Sequence, residues 1–391
     1  MSDPEQAAIS AALTVASLNR SHGGLSRAVS QLADALCEQG CQATVVYVGD
    51  GPEDTLLVPA RAKAASARAV SLAGRRLWSP RFTQQIAAAL APRAPRLIHD
   101  HGLWGYTNYA AARYATRQRI SLVISPHGML EARALAEKPA RKRVALAVFQ
   151  RNILNSAALF MATADAEYQS VRRLGLKAPV AIVPIGVPLP ETHARHALTG
   201  PRRILYLSRI HPIKGLLPFI EAWHRVGEPG WRIVIAGPDE AGHLAEVRDL
   251  ISQLGIESQF EFPGEVDGAA KRALFESADV FVLPTFSENF GVVVAEALSY
   301  GVPVLTTRGA PWSLLETHKA GWWVEPGVDG LADGLRAALA TTPQQRATMG
   351  QAGRGYVAQH LGWATAGKLT LDAYAWLLGL QRERPAHVHL D

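Results

Sequence analysis

Glu288 and Glu296 stand with seven residues between them in the run Phe286-Ser287-Glu288-Asn289-Phe290-Gly291-Val292-Val293-Val294-Ala295-Glu296-Ala297-Leu298. The run follows Val280–Leu283, an apolar segment that reads as a strand, and continues from Val292 as a helix. Ser and Asn are good helix caps and Gly291 permits close backbone approach, so the helix is expected to start near Asn289 or Phe290. N–H groups at a helix start make a ready site for a diphosphate. Glu288 at that mouth can accept hydrogen bonds from hydroxyl groups. Glu296, about two turns on within an apolar run, is costly to bury unless bonded, and ribose hydroxyls are suitable donors.

Leu207-Ser208-Arg209-Ile210-His211-Pro212-Ile213-Lys214-Gly215 places Arg209 at a strand end and Lys214 at a helix start. Two cations at one sheet edge can hold a departing diphosphate, and their larger use is in the transition state, where leaving-group charge grows. A pair of surface cations is the plain alternative. Ser21-His22-Gly23-Gly24-Leu25-Ser26-Arg27 follows the first strand and is not the G-x-G-x-x-G fingerprint of a dehydrogenase. Gly23 and Gly24 fit close approach to phosphates, although tight turns also use glycine pairs. In Ser125-Pro126-His127-Gly128, His127 follows a strand and can serve as a base or as a ligand for a sugar hydroxyl or phosphate. Gly237, after a strand, and Val266, in the loop Gly264-Glu265-Val266, are weaker donor-site candidates; that loop suits a base. His99-Asp100-His101 puts two histidines on one strand face, which can suit a metal. No further His/Cys pattern and no Asp-x-Asp pair supports one, so His101 and Trp104 are read as acceptor-side residues and no metal is expected.

The glutamate pair, with Ser299-Tyr300-Gly301-Val302-Pro303-Val304 after it, resembles the signature of the large family 4 of retaining glycosyltransferases. The His127 loop is similar to members that assemble bacterial polysaccharides. The resemblance runs from about Thr14 to Leu380. It implies a GT-B fold and no cofactor beyond the substrate, a UDP- or GDP-linked sugar. It implies that Glu288 contacts the donor sugar, that the Asn289, Phe290, Gly291 and Val292 segment faces sugar and phosphate, and that Glu296 binds the ribose. Arg209 and Lys214 match the family's arginine and lysine-glycine, Gly23 and Gly24 its glycine-rich loop, and His127 its contact near the reacting centre. The catalytic set is then His127, Arg209, Lys214 and Glu288. The implied acceptor is a saccharide or lipid-linked saccharide in surface polysaccharide assembly.

Elements able to position these groups recur along the chain. Short apolar runs (Leu13–Ala16, Ala43–Val48, Arg96–His99, Ser121–Ser125, Leu159–Thr163, then Arg203–Ser208, Arg232–Ala236, Phe260–Phe262, Val280–Leu283 and Val302–Thr306) alternate with amphipathic stretches. Strands alternating with helices mean βαβ units and parallel sheets, an α/β class. A Pro-rich break at 188–201 reads as a linker between a Rossmann-like domain, 1–187, and a second, 202–362. A terminal helix within 363–391 is expected to cross back to the first domain. Two such doubly wound domains facing a central cleft are the expected architecture.

Composition narrows the partners. The net charge of +6 divides into 23 Lys+Arg against 13 Asp+Glu up to Arg195, and 17 against 21 after it. A basic first half suits an anionic acceptor or an anionic membrane surface as well as it suits a merely solvated face. No nucleic-acid motif accompanies it. Neither a signal peptide nor a membrane span is read, so a cytoplasmic protein is expected, peripheral at the inner face of the plasma membrane at most. Cys37 and Cys41 are read as free thiols. A nucleotide-sugar epimerase or a non-catalytic nucleotide-sugar binder on the same fold are the alternative readings.

Overall fold

In a computed structural model of the chain, residues 8–20, 24–49, 56–67, 70–72, 75–191, 200–240 and 242–390 are described. The chain divides into two compact units, Met1–Gly186 with Trp363–Asp391, and Val187–Gly362.

The first unit is built on β1 (Ser10–Val15), β2 (Gln42–Val48), β3 (Lys63–Ala67), β4 (Arg96–His101), β5 (Ser121–Ser125), β6 (Leu159–Ala162) and β7 (Val180–Ile182). They form one sheet in the order β3-β2-β1-β4-β5-β6-β7, all parallel, with the terminal strand Val388–His389 added antiparallel to β7. Every residue of β1 is buried, as expected of a central strand covered on both faces. One helix layer contains Gly24–Glu38 and the C-terminal helix Trp363–Leu377. The two helices approach so closely at Gly367 that a Cβ there would lie 2.9 Å from the Ala35 carbonyl oxygen. The C-terminal helix is therefore part of the first unit's core, and its Tyr374 is fully buried. Cys37 and Cys41 are unpaired thiols.

The second unit contains β8 (Arg202–Leu207), β9 (Trp231–Ala236), β10 (Phe260–Gly264), β11 (Val280–Leu283), β12 (Val304–Thr307) and β13 (Gly321–Val324). All are parallel in the order β10-β9-β8-β11-β12-β13, the strand order of the Rossmann fold. In such sheets the order reverses beside the first strand, and ligands bind outside the carboxyl ends of the two strands that flank the reversal. Those strands are β1 and β4 in the first unit, β8 and β11 in the second. The loops after β8 and β11 carry Arg209, Lys214 and Glu288.

Six strands were not anticipated: β3, β7, β13, Val388–His389 and the antiparallel pair Val70–Leu72 and Arg75–Trp78. β3 reads Lys-Ala-Ala-Ser-Ala, which has little intrinsic strand preference, and its pairing with β2 holds it extended. Of the expected linker 188–201, residues 192–199 lie outside the described residues, as do Ser21, His22 and Gly23.

Candidate functional site

In the second unit two loops are stitched together. The Phe286 N–H donates to the Ile213 carbonyl at 2.8 Å, and Thr285 Oγ1 donates to the same oxygen at 3.2 Å. Gly215, in the left-handed region at φ 70°, allows the close approach: a Cβ there would sit 2.1 Å from the Pro284 carbonyl oxygen. The stitching brings Lys214 Nζ onto Glu288 Oε1 as a salt bridge whose side chains are 8% and 16% exposed. Such a sheltered pair is weakly screened by water or salt. The expectation that Lys214 opens a helix needs correcting. It closes a 3₁₀ turn, Pro212–Lys214, and the helix begins at Leu216.

Arg209 lies two residues beyond β8 rather than at its last position. Its guanidinium pairs with Glu240 at 2.5 Å, both side chains about half exposed. The Tyr206 hydroxyl donates to the Arg209 carbonyl at 2.7 Å, and the Ile210 N–H donates to the Pro238 carbonyl at 2.8 Å, so the backbone around Arg209 is held from two sides.

The helix with the two glutamates runs Val292–Ser299, starting later than expected. Gly291, at φ 76°, occupies the cap position with no side-chain cap, so neither Asn289 nor Ser287 caps it. Phe290 is buried, and Trp312 Nε1 donates to its carbonyl at 2.5 Å. The first N–H groups of a helix have no partner within it, which makes the start of this helix a candidate anion site. Glu296 is sheltered and paired with Lys271 at 2.6 Å, with side chains 14% and 18% exposed.

Gly237 follows β9 at φ 139°, and a Cβ there would lie 1.9 Å from the Ser208 carbonyl oxygen. The glycine is thus demanded by packing between the β8 and β9 ends, whatever else it touches. Gly237→Ala is expected to destabilise the protein by about 3 kcal/mol, lowering its melting temperature by roughly 6–12 °C. A melting temperature within a degree of the parent's would refute this reading. Val266 is half-buried in the loop between β10 and the helix Gly268–Ser277.

In the first unit, Gly24 opens the helix Gly24–Glu38. His99, Asp100 and His101 end β4, and His127 follows β5. His99 and His101 share a face with ring centroids 4.0 Å apart. Both ring nitrogens of His99 are engaged, Nδ1 with the Tyr374 hydroxyl at 2.6 Å and Nε2 with Ser125 Oγ at 2.7 Å. Burial pushes its pKa down to about 3. Asp100 accepts from Thr14 Oγ1 at 2.6 Å and Asn108 Nδ2 at 2.8 Å. Its burial outweighs those bonds and raises its pKa to about 6. Among the described residues no group of three or more His, Cys, Asp or Glu side chains could hold a metal ion.

His101 is 2% exposed and bonded to His127, with Nδ1 and Nε2 3.0 Å apart. It therefore stands behind His127 instead of lining an acceptor surface itself, which corrects the sequence reading. Burial lowers its pKa well below the usual histidine value, and that of His127 to about 4. Trp104, at φ 72°, donates its backbone N–H to Gln150 Oε1 at 3.1 Å and carries Lys142 Nζ 5.9 Å from its ring centroid.

The sequence reading missed Glu167. This fully buried carboxylate accepts from the Gly128 N–H at 2.6 Å, the Thr163 N–H at 2.7 Å and Thr163 Oγ1 at 3.0 Å. It ties down the turn in which His127 holds φ 51°, a conformation that costs a non-glycine residue energy. Lys271 and Glu240 were missed as well. Their pairing with Glu296 and Arg209 depends on which strands are neighbours.

The comparisons with known proteins agree with this architecture. A family model described as Glycosyl transferases group 1 matches residues 190–356, and one described as Glycosyl transferase 4-like domain matches residues 23–186. The D-inositol 3-phosphate glycosyltransferase of Kribbella flavida is 29% identical over 321 residues, 75% of this chain and 74% of that protein. The GDP-mannose:cellobiosyl-diphosphopolyprenol alpha-mannosyltransferase of Xanthomonas campestris is 23% identical over 300 residues, 76% of this chain and 78% of its own. Among solved structures, HepE of Anabaena in complex with UDP and glucose superposes with a TM-score of 0.74 at 19% identity, covering 94% of this chain and 99% of that one.

Proposed function

The chain belongs to the glycosyltransferases with a family 4-like domain followed by a group 1 domain on the GT-B fold, and from that premise we propose that it is a retaining, metal-independent hexosyltransferase. Its donor is a UDP- or GDP-linked sugar. Its acceptor is a saccharide or lipid-linked saccharide of surface polysaccharide assembly. The observation that carries the reading is the sheltered Lys214–Glu288 pair, held beside the start of the helix Val292–Ser299 at the switch point of the second sheet. A cation, a carboxylate and open helix amides match the three parts of a nucleotide diphosphate sugar that need recognition. The HepE structure holds UDP and glucose, and the Xanthomonas relative is named for GDP-mannose, so both nucleotides belong in the test.

In the proposed reaction the bond between sugar carbon and diphosphate oxygen breaks while Arg209, Lys214 and the amides at Phe290–Val292 hold the leaving charge. The acceptor oxygen attacks from the same face, and its proton passes to the departing phosphate. Glu288 accepts from sugar hydroxyls and Glu296 from the ribose. Gly23 and Gly24 allow close approach to the phosphates, Gly237 and Val266 belong to the donor loops, and His127 contacts the transferred sugar. Positioning and charge stabilisation supply the rate. A donor panel read by nucleotide release tests this. Release of UDP or GDP in proportion to acceptor supplied, unchanged by a chelator, is the expected result. No release with any donor, sugar conversion without release, or a chelator-sensitive rate contradicts it.

The basic first half has a defined place in the fold. Val144 and Val148 are 63% and 70% exposed, beside the exposed Arg141 and Arg143. Val148 shares a groove with Tyr109, Arg113 and Arg117. Apolar side chains ringed by cations suit the surface of an anionic bilayer. No described helix is long and apolar enough to cross a membrane. Binding to phosphatidylglycerol-containing vesicles is expected in low salt. Each of Arg113→Glu and Arg117→Glu changes two charges and should weaken it by about thirtyfold, at ~1 kcal/mol per charge. Equal binding to neutral vesicles would rule the contact out.

A further inference from the structure

His127 meets a second imidazole at its Nε2, and this contact has a consequence for what its other nitrogen can do. The His101 and His127 rings stack with centroids 5.3 Å apart, and the single hydrogen bond between them joins His101 Nδ1 to His127 Nε2. The other nitrogen of His101, Nε2, is buried without a hydrogen-bond partner. His101 and His127 both line a cavity of about 40 Å³, with Val29, Met161, Val183 and Ala366 among its walls. Burial depresses the pKa of both rings, so both are neutral near pH 7.

A hydrogen bond between two neutral imidazoles contains one proton, and this locks their tautomers together. If His101 Nδ1–H donates, His127 must carry its own proton on Nδ1. If His127 Nε2–H donates, the proton of His101 sits on the buried, unpartnered Nε2. The second arrangement leaves a buried N–H donor without an acceptor. The first leaves only a lone pair, and native structures tolerate unsatisfied acceptors more often than orphaned N–H donors.

We infer that His101 is a positioning residue that holds His127 as the Nδ1–H tautomer, so that His127 presents a hydrogen-bond donor, and not a base, to an oxygen of the substrate. Glu167 fixes the backbone of the same turn through Gly128, and His101 fixes the ring. The inference rests on the proposed contact between His127 and the donor sugar. There it names the atom that makes the contact and the ligand class it takes, a hydroxyl or phosphate oxygen.

Long-range proton–nitrogen NMR of the full-length protein labelled with ¹⁵N-histidine tests it, with His127→Asn and His101→Asn used for assignment. The proton of His127 is expected on Nδ1. His101→Phe should release the ring to a mixture of tautomers and lower kcat about tenfold, with donor KM nearly unchanged. His101→Asn, whose amide N–H can stand in for Nδ1–H, should restore both the tautomer and most of kcat. A proton on His127 Nε2 in the parent protein overturns the inference. So does a His127 tautomer unmoved in folded His101→Phe, or kcat equal in the two variants. The spectrum of the parent protein needs no substrate, so it decides the tautomer even where the donor reading fails or His101→Phe does not fold.

Discussion

Lys214→Ala is expected to lower kcat/KM for sugar transfer by about a thousandfold, equivalent to about 4 kcal/mol of transition-state stabilisation. Lys214 is 6% exposed. Its ammonium therefore acts where water competes poorly, and a growing negative charge on a leaving phosphate gains more from it than from a surface lysine. Its position is not left to a flexible stem. The Phe286 N–H and the Thr285 hydroxyl converge on the Ile213 carbonyl, and Gly215 turns the chain directly afterwards. The same substitution also strands Glu288. Breaking a fully buried pair costs about 3–5 kcal/mol, and the cost here is smaller because Glu288 keeps 16% of its side-chain surface. A drop in activity must therefore be read beside a folding measurement. Glu288→Ala removes the other half of the pair and is expected to bring transfer near background in a folded protein. Full activity in either variant would refute the site. Lys214→Arg is not a conservative control, since a planar guanidinium cannot occupy the space of a compact ammonium against Glu288.

How much of this was legible in the sequence follows the range of the interactions. β5 and β11 were read to the residue, because a continuous apolar run bounded by polar turns has one interpretation in a parallel sheet. The start of the helix Val292–Ser299 was misplaced by two or three residues. Asn289 and Ser287 looked like caps, whereas the left-handed Gly291 does the turning. β3 was invisible because its residues have no strand preference and only β2 makes it a strand. At the site, Lys214 and Glu288 were named separately, but their contact spans 74 residues and depends on the adjacency of β8 and β11. Lys271, Glu240 and Glu167 look like ordinary helix or loop charges. Glu167 has a local partner in Thr163, four residues earlier, but its contact with the His127 turn comes from Gly128, 39 residues earlier, and is not legible locally. For His101 the strand position was legible, and its burial behind His127 was not.

Acidification from pH 7 to pH 5 is expected to destabilise the first unit by at least about 2 kcal/mol, a sizeable fraction of a domain's stability. His99 and His101 are buried and neutral, His99 with a pKa of about 3 and His101 well below the usual 6.5. Between those values and 6.5 the unfolded chain binds protons that the folded chain refuses. The stability they contribute is complete above pH 6.5 and is lost as pH falls below it. His99 contributes about 2 kcal/mol over the 1.5 units down to pH 5, and His101 acts in the same direction. His127, at about 4, acts in the same direction but is partly exposed, so it adds about 1 kcal/mol after discounting for solvent. Asp100 opposes them. Its pKa is raised to about 6, so the folded state takes up its proton first and gains about 1 kcal/mol by pH 5. The three histidines outweigh the one carboxyl. Urea unfolding at pH 7, 6 and 5 measures the sum, and His99→Gln should remove about one proton from the pH slope while leaving its sign. A midpoint that stays constant or rises on acidification would mean that these rings accept protons inside the fold. Neutral imidazoles could then no longer be the basis for how His127 meets its ligand.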